Sequence, residues 1–163
     1  MYDFSDVFIE KYKPVRHEKR FLEMYDQAFI ELEDEIPQFN NAKKQSSESL
    51  KKDCMFDKTI FIYKKGDNIA GFCMYQKIAD YSGHFFMVLL DFVDKKYRGI
   101  GRKCRIALGK EFCKTARKVV LSINKKNLNS LNSFKKVASN YGNGYAEYEE
   151  VNDSTLLITC FFT

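Results

Sequence analysis

The sequence predicts an α/β domain of the α+β type, a mixed and mostly antiparallel sheet of about seven strands flanked by helices. Three observations predict it. Apolar residues recur at three- and four-residue spacing in two segments, His17–Glu35 and Ile100–Arg117, which is the period of a helix. Short runs rich in Ile, Val, Phe and Tyr, bounded by Gly, Asn and Asp, lie between and after those segments. The nearly continuous apolar run Phe85–Val93 then leads straight into a turn with two glycines, as a buried strand does when it delivers the chain to a helix.

Taken in order, Val7–Tyr12 reads as a first strand, stopped by Pro14. In His17–Glu35 the residues Phe21, Met24, Tyr25, Ala28, Phe29 and Leu32 make one apolar stripe, and Pro37 ends or turns that helix. Asn40–Ser49 is polar and reads as a loop entering a short helix, Glu48–Cys54. Thr59–Tyr63 and Ile69–Ile78 are strands joined by the turn Lys65–Asn68, and Gly71 marks a bulge or a close backbone approach. A polar turn, Asp80–Gly83, precedes the strand Phe85–Val93. Ile100, Cys104, Ala107, Leu108, Phe112 and Ala116 stripe the next helix. Lys118–Ile123 is a strand, and Asn127 caps a helix that turns Leu128, Leu131, Phe134, Val137 and Ala138 inward. Tyr141–Gly144 breaks that helix. Strands Tyr145–Glu149 and Thr155–Phe162 close the chain, and the apolar last strand offers an edge for pairing in a homodimer. No repeat or linker interrupts this order, so residues 1–163 are expected to form one domain.

The totals exclude several classes. The longest apolar run is about nine residues and contains Asp91, far short of the ~20 that span a bilayer. The start, Met1-Tyr2-Asp3-Phe4-Ser5-Asp6, lacks the cationic and apolar regions of a signal peptide, so a cytoplasmic location is expected. The five cysteines are scattered and form no CxxC pair; with only His17 and His84 beside them they suggest buried free thiols and no metal site. Net charge is +5 but unevenly spread. Seven acids face two bases in Glu18–Glu35, and ten Lys or Arg face two acids in Asp94–Lys118. Solvated helix faces explain such a split; so does a cationic substrate at the acidic half and a phosphorylated ligand at the basic half. Nucleic acid is the third reading of the basic segment Lys95–Lys118, ranked last because no recognised binding motif accompanies it.

Lys96-Tyr97-Arg98-Gly99-Ile100-Gly101-Arg102-Lys103 is the stretch richest in chemical meaning. Glycines let backbone approach an anion closely, and the first N–H groups of the following helix point at it with the positive end of the helix dipole behind them. No Lys-Ser or Lys-Thr follows, so this is not the phosphate loop of nucleotide hydrolases, nor is it the GxGxxG dinucleotide fingerprint.

With this turn after the fourth strand, the order of elements resembles the GNAT superfamily of acyl-CoA-dependent N-acyltransferases. By motif the resemblance covers about Phe85–Lys136. The family's turn, Gln/Arg-x-x-Gly-x-Gly/Ala, is matched imperfectly by Arg98-Gly99-Ile100-Gly101-Arg102-Lys103, which keeps the family's distance from Val93 but ends in Lys; the register starting at Lys96 keeps both small residues but not the first residue. The resemblance implies that the backbone of Arg98, Gly99, Ile100, Gly101, Arg102 and Lys103 binds the pyrophosphate of acetyl-CoA, and that a bulged fourth strand near Phe92 or Val93 donates an N–H to the thioester carbonyl. Val120–Ile123 followed by Asn127-x-x-Ser130-x-x-x-Phe134-x-Lys136 is similar to the family's fifth strand and following helix. Asn127 would then contact the pantetheine arm. Phe134 stands where many members carry a Tyr that protonates the departing thiolate, and Phe has no proton to give.

The implied activity is acetyl transfer to a primary amine of a small molecule or protein by direct attack in a ternary complex, with a non-catalytic or regulatory acetyl-CoA-binding domain as the alternative. Such transfer draws on proximity and on N–H groups aimed at the developing oxyanion. Asp91 is the first candidate for general base, because a carboxylate in an apolar strand is costly unless paired or useful. Its other reading is half of a structural ion pair. His84 opens the same strand as a second base or a proton relay. Strict alternation puts the two on opposite faces, and a bulge between them would restore a common side. Glu31, Glu33, Asp34 and Glu35 end the first helix, where the family often recognises its acceptor; Glu31 and Glu35 are the candidates for a cationic amine.

Overall fold

Three hairpins and one parallel crossover set the order of the sheet. The structure, a computed structural model, describes residues 6–35, 58–81, 83–126, 132 and 146–162. Strands β1 (Val7–Lys11), β2 (Lys58–Lys65), β3 (Asn68–Asp80) and β4 (Gly83–Val93) pair antiparallel in sequence, β4 then pairs parallel with β5 (Lys118–Asn124), and β5 is followed across the sheet by β7 (Thr155–Phe161) and β6 (Ala146–Glu150). The expected short helix at 48–54 and the helix begun by Asn127 lie outside the described residues.

Pro14 stops β1 and also starts helix α1 (Pro14–Glu35), three residues earlier than the apolar stripe indicates. A proline costs nothing at the first helical position, where its missing N–H would have had no intrahelical partner. His17 completes the start: its Nδ1 accepts the Lys13 N–H at 2.8 Å, so the neutral ring carries its proton on Nε2 and donates it to Glu10 at 2.7 Å. Helix α2 (Gly101–Phe112) ends before the expected Arg117; Ala116 is buried by a turn beyond it.

Alternation along the central strands makes two cores. On one face Phe61, Tyr63, Cys73, Tyr75 and Phe86 pack against Cys104, Leu108 and Phe112 of α2. Phe86 stacks on Phe112 with ring centroids 4.6 Å apart. On the other face Ile60, Ile62, Phe72, Met74 and Phe92 receive Phe21, Met24, Tyr25 and Ala28 of α1. Helix α1 is also tied to the end of β4, where Arg20 Nη2 donates to Asp94 Oδ2 at 2.5 Å. The expectation that the last strand supplies a dimer edge is corrected here. β7 lies between β5 and β6 and is paired on both sides, so it has no free edge to offer.

Gly71 is a place of close approach beside a bulge. The β2–β3 register slips between Tyr63 and Lys64, leaving Ala70 as the extra residue. A Cβ on Gly71 would overlap the Phe92 carbonyl oxygen and lie 3.0 Å from Tyr63 Cδ2 and Val93 Cα. Most of these obstacles are backbone and cannot rotate away. Gly71→Ala is therefore expected to destabilise the fold by about 1–3 kcal/mol, read as a lower urea midpoint at unchanged slope.

Asp94 gives the fold an acid-sensitive joint. Burial by itself would raise its carboxyl pKa, but the Lys96 N–H, the Arg20 guanidinium and Gln27 together outweigh burial and hold it below the ordinary value of 3.8. A carboxyl lowered on folding contributes stability that is present above its unfolded pKa and lost as the pH falls through the folded one. Arg20 is a third exposed, so the pair is worth a discounted amount. Asp94→Asn is expected to cost about 1–2 kcal/mol at neutral pH and to flatten the loss of stability below about pH 4; urea titrations at several pH values check both.

Candidate active site

The site begins where two parallel strands part. β4 and β5 share only three paired positions, Phe86 with Val119, Met87 with Val120 and Val88 with Leu121. Past them β4 stays with β3 as far as Val93, while β5 stays with β7 as far as Asn124. A bulge marks the parting. Met74 pairs with Leu90 and Tyr75 with Val88, so Leu89 is the extra residue. The bulge therefore lies at Leu89 and not near Phe92 or Val93, which remain in register with Phe72 and Gly71.

This register decides which peptide groups face the gap. The Asp94 N–H donates to the Ala70 carbonyl on β3 at 2.8 Å. Alternate residues of a strand turn their peptide groups to the same side. Phe92 thus faces β3, while Asp91 and Val93 direct their N–H groups at the gap beside β5. Of the two positions expected to supply a carbonyl donor, only Val93 has the required direction.

At the mouth of the gap the chain turns into α2. The Asp94 carboxylate accepts the Lys96 N–H at 3.1 Å and caps a single 3-10 turn, Lys95–Tyr97. Gly99 follows at φ +103°, a conformation that L side chains rarely adopt, and turns the chain into the helix. No side chain caps α2, because Ile100 occupies the cap position. The first turn holds no acid, and Arg102 and Lys103 are exposed there. Cations are unfavourable at the positive end of a helix dipole unless an anion joins them. The residues from Arg98 to Lys103 thus form one turn that opens the helix and can receive a phosphate group. Gly101 is buried in it, and a Cβ there would lie 3.3 Å from Arg105 Nη1 and 3.4 Å from Val93 Cγ2.

Asp91 does not face α1. Its side chain lies on the α2 face, opposite Cys73, and is 5% exposed. Oδ1 accepts the Tyr63 hydroxyl at 3.0 Å and Oδ2 accepts Arg105 Nε at 2.9 Å. The ion pair offered as its second reading is present. His84 shares that face, because the bulge at Leu89 corrects the alternation as anticipated. Yet it pairs with Ala79 at the hairpin end of β4, roughly 20 Å from Asp91 at about 3.3 Å per residue. Its Nε2 is buried with no hydrogen-bond partner among the described residues, and its ring meets Phe86 edge-on. The two residues share a face but do not meet.

Glu31 on α1 accepts from Gln27 at 3.1 Å and stands 3.9 Å from Lys95 Nζ, so it borders the phosphate-sized turn. The side chain of Glu35, and Asn127 and Phe134 altogether, lie outside the described residues. Three participants were not singled out from the sequence: Arg20, Tyr63 and Arg105. Arg105 is one of ten cations in its segment and Tyr63 one aromatic among several, so neither carries a local signal.

No protein-family model and no curated protein matches this sequence. Solved structures do match it over nearly the whole chain. The PaiA N-acetyltransferase from Thermoplasma acidophilum, in complex with coenzyme A, is 15% identical with a TM-score of 0.73, covering 96% of this chain and 99% of its own. The spermidine N-acetyltransferase from Vibrio cholerae, in complex with CoA and spermine, is 8% identical with a TM-score of 0.70, covering 96% of each chain. The ribosomal-protein-S18-alanine N-acetyltransferase from Escherichia coli is 12% identical with a TM-score of 0.69, covering 96% of this chain and 94% of its own. The sheet order, the parted β4 and β5 and the glycine turn at their mouth are thus those of a known architecture: the chain has the fold of the GNAT-type N-acetyltransferases.

Proposed function

We propose that the protein is an N-acetyltransferase that moves an acetyl group from acetyl-CoA to a primary amine by direct attack in a ternary complex. The observation that carries this reading is the uncapped, cation-rich start of α2 set at the mouth of the gap between β4 and β5. The turn Arg98–Lys103 offers backbone N–H groups to a pyrophosphate. The gap offers a channel for an extended arm, and the Val93 N–H, with that of Asp91 behind it, is directed at a carbonyl lying there. By resemblance Asn127 and Phe134 would line the same arm.

In the reaction the amine nitrogen forms a bond to the acyl carbon, the carbon–sulfur bond breaks, and the ammonium proton leaves through water. The thiolate takes its proton from solvent, since Phe134 cannot supply one. No covalent nucleophile is needed, and His84 is too distant to take part. Proximity and a directed N–H provide the acceleration. Spermidine, ribosomal protein S18 and aminoglycosides are named as acceptors of proteins with this fold; for this chain the acceptor class is a primary amine, approached from the side of α1, which carries Glu31, with Glu35 a further candidate by resemblance. One domain and a cytoplasmic setting complete the proposal, with either a monomer or a homodimer as the working form. Phe134 favours a second reading, a domain that binds acetyl-CoA without turning it over.

Calorimetric titration of the protein, freed of copurified coenzyme, with acetyl-CoA tests the shared premise. Saturable binding is expected, weakened at least about tenfold in Gly101→Glu, which sets a carboxylate where the phosphates would sit. Arg102→Glu, at an exposed position, is expected to act in the same direction without disturbing the core. No binding by the folded wild type would overturn both readings and leave the basic segment to nucleic acid, whose mark is affinity falling steeply with salt. Binding with product formation against a panel of amines separates the enzyme from the binding domain.

A further inference from the structure

Among the described residues, β4 from Leu89 onward has a hydrogen-bonding neighbour on one side only, yet this is the segment whose opposite N–H groups must hold a fixed direction. A half-paired strand needs another restraint, and one side chain supplies it. The Asp91 carboxylate is buried and takes a hydrogen bond on each oxygen, from Tyr63 on β2 and from Arg105 on α2. Tyr63 is fully buried, with no exposed surface. The Arg105 guanidinium lies against Gly101, 3.3 Å from where a Cβ would stand. One carboxylate therefore joins β2, β4 and the first turns of α2, on the face away from α1. A general base needs an oxygen within reach of the amine proton. Asp91 has both oxygens occupied and turned away from the acceptor side.

Resting on the acetyltransferase reading, we propose that Asp91 is a positioning residue: held between Tyr63 and Arg105, it fixes the unpaired edge of β4 so that the Val93 N–H meets the thioester carbonyl, and it takes no proton from the acceptor. Asp91 acts through the backbone it carries. The clamp also explains why Gly101 is small, since the Arg105 side chain occupies the space a larger residue would need.

The test compares two probes that differ only in the acyl group. Acetyl-CoA carries the carbonyl and free CoA does not, so the ratio of their affinities reads the carbonyl donor. Tyr63→Phe, which removes one hydroxyl and keeps the ring in the core, and Arg105→Lys and Asp91→Asn are titrated with both, with urea midpoints measured in parallel. Acetyl-CoA affinity is expected to fall about tenfold, the worth of one hydrogen bond, while CoA affinity changes less than about twofold. A merely structural clamp would weaken both probes together, and a general base would weaken neither; either result overturns the proposal. Wild-type protein that binds neither probe would overturn the acetyltransferase reading itself, which is a separate outcome.

Discussion

The parting of β4 from β5 after Val88 is the constraint from which the candidate site follows. A parallel ladder continued to Val93 would consume the peptide groups of Asp91 and Val93 and close the gap. Instead the bulge at Leu89 turns the strand where the ladder ends. Bulges re-aim a strand and break its pairing at the cost of local order. What remains is a strand paired on the β3 side whose other peptide groups, among the described residues, are left for a different partner to accept from or donate to.

Two carboxylates stabilise this arrangement, and they do so at different points. Asp91 works inside the sheet, where removing an ion from water costs several kcal/mol and only a full set of partners offsets it. Tyr63 and Arg105 provide that set. Asp94 works at the strand's exit, where it holds the Lys96 N–H and the Arg20 side chain and so joins the turn to α1. The two are only three residues apart, yet their side chains serve opposite faces of the sheet.

The division of charge along the sequence takes on a different meaning in three dimensions. The acidic first helix and the basic second one do not form two separate fields. Arg20 of α1 bonds to Asp94, and Glu31 of α1 stands beside Lys95, so each segment's minority or majority charge is used to fasten the two together. Arg102 and Lys103 are exposed at the start of α2, where an anion would be stabilised most.

Among the described residues, the sequence by itself determined which segments are helices and strands and where the glycine turn sits, because those depend on the period of apolar residues and on backbone freedom, both local properties. Ile60, Ile62, Phe72 and Met74 announce their strands by alternation, Phe21, Met24, Tyr25 and Ala28 their helix by spacing, and Gly99 its turn. That a bulge between His84 and Asp91 would bring them to one face could be posed from the sequence, but neither its presence nor its place, since Leu89 is one apolar residue in an apolar run. Tertiary structure alone decided that β7 is an interior strand, that Asp91 faces away from α1, and that Tyr63 and Arg105 are its partners. Those facts depend on registers between strands far apart in the chain, and a one-residue shift in register moves every following side chain to the other face. The role of a carboxylate is set by what it faces, so the chemistry of Asp91 could be posed from the sequence but its orientation only from the fold.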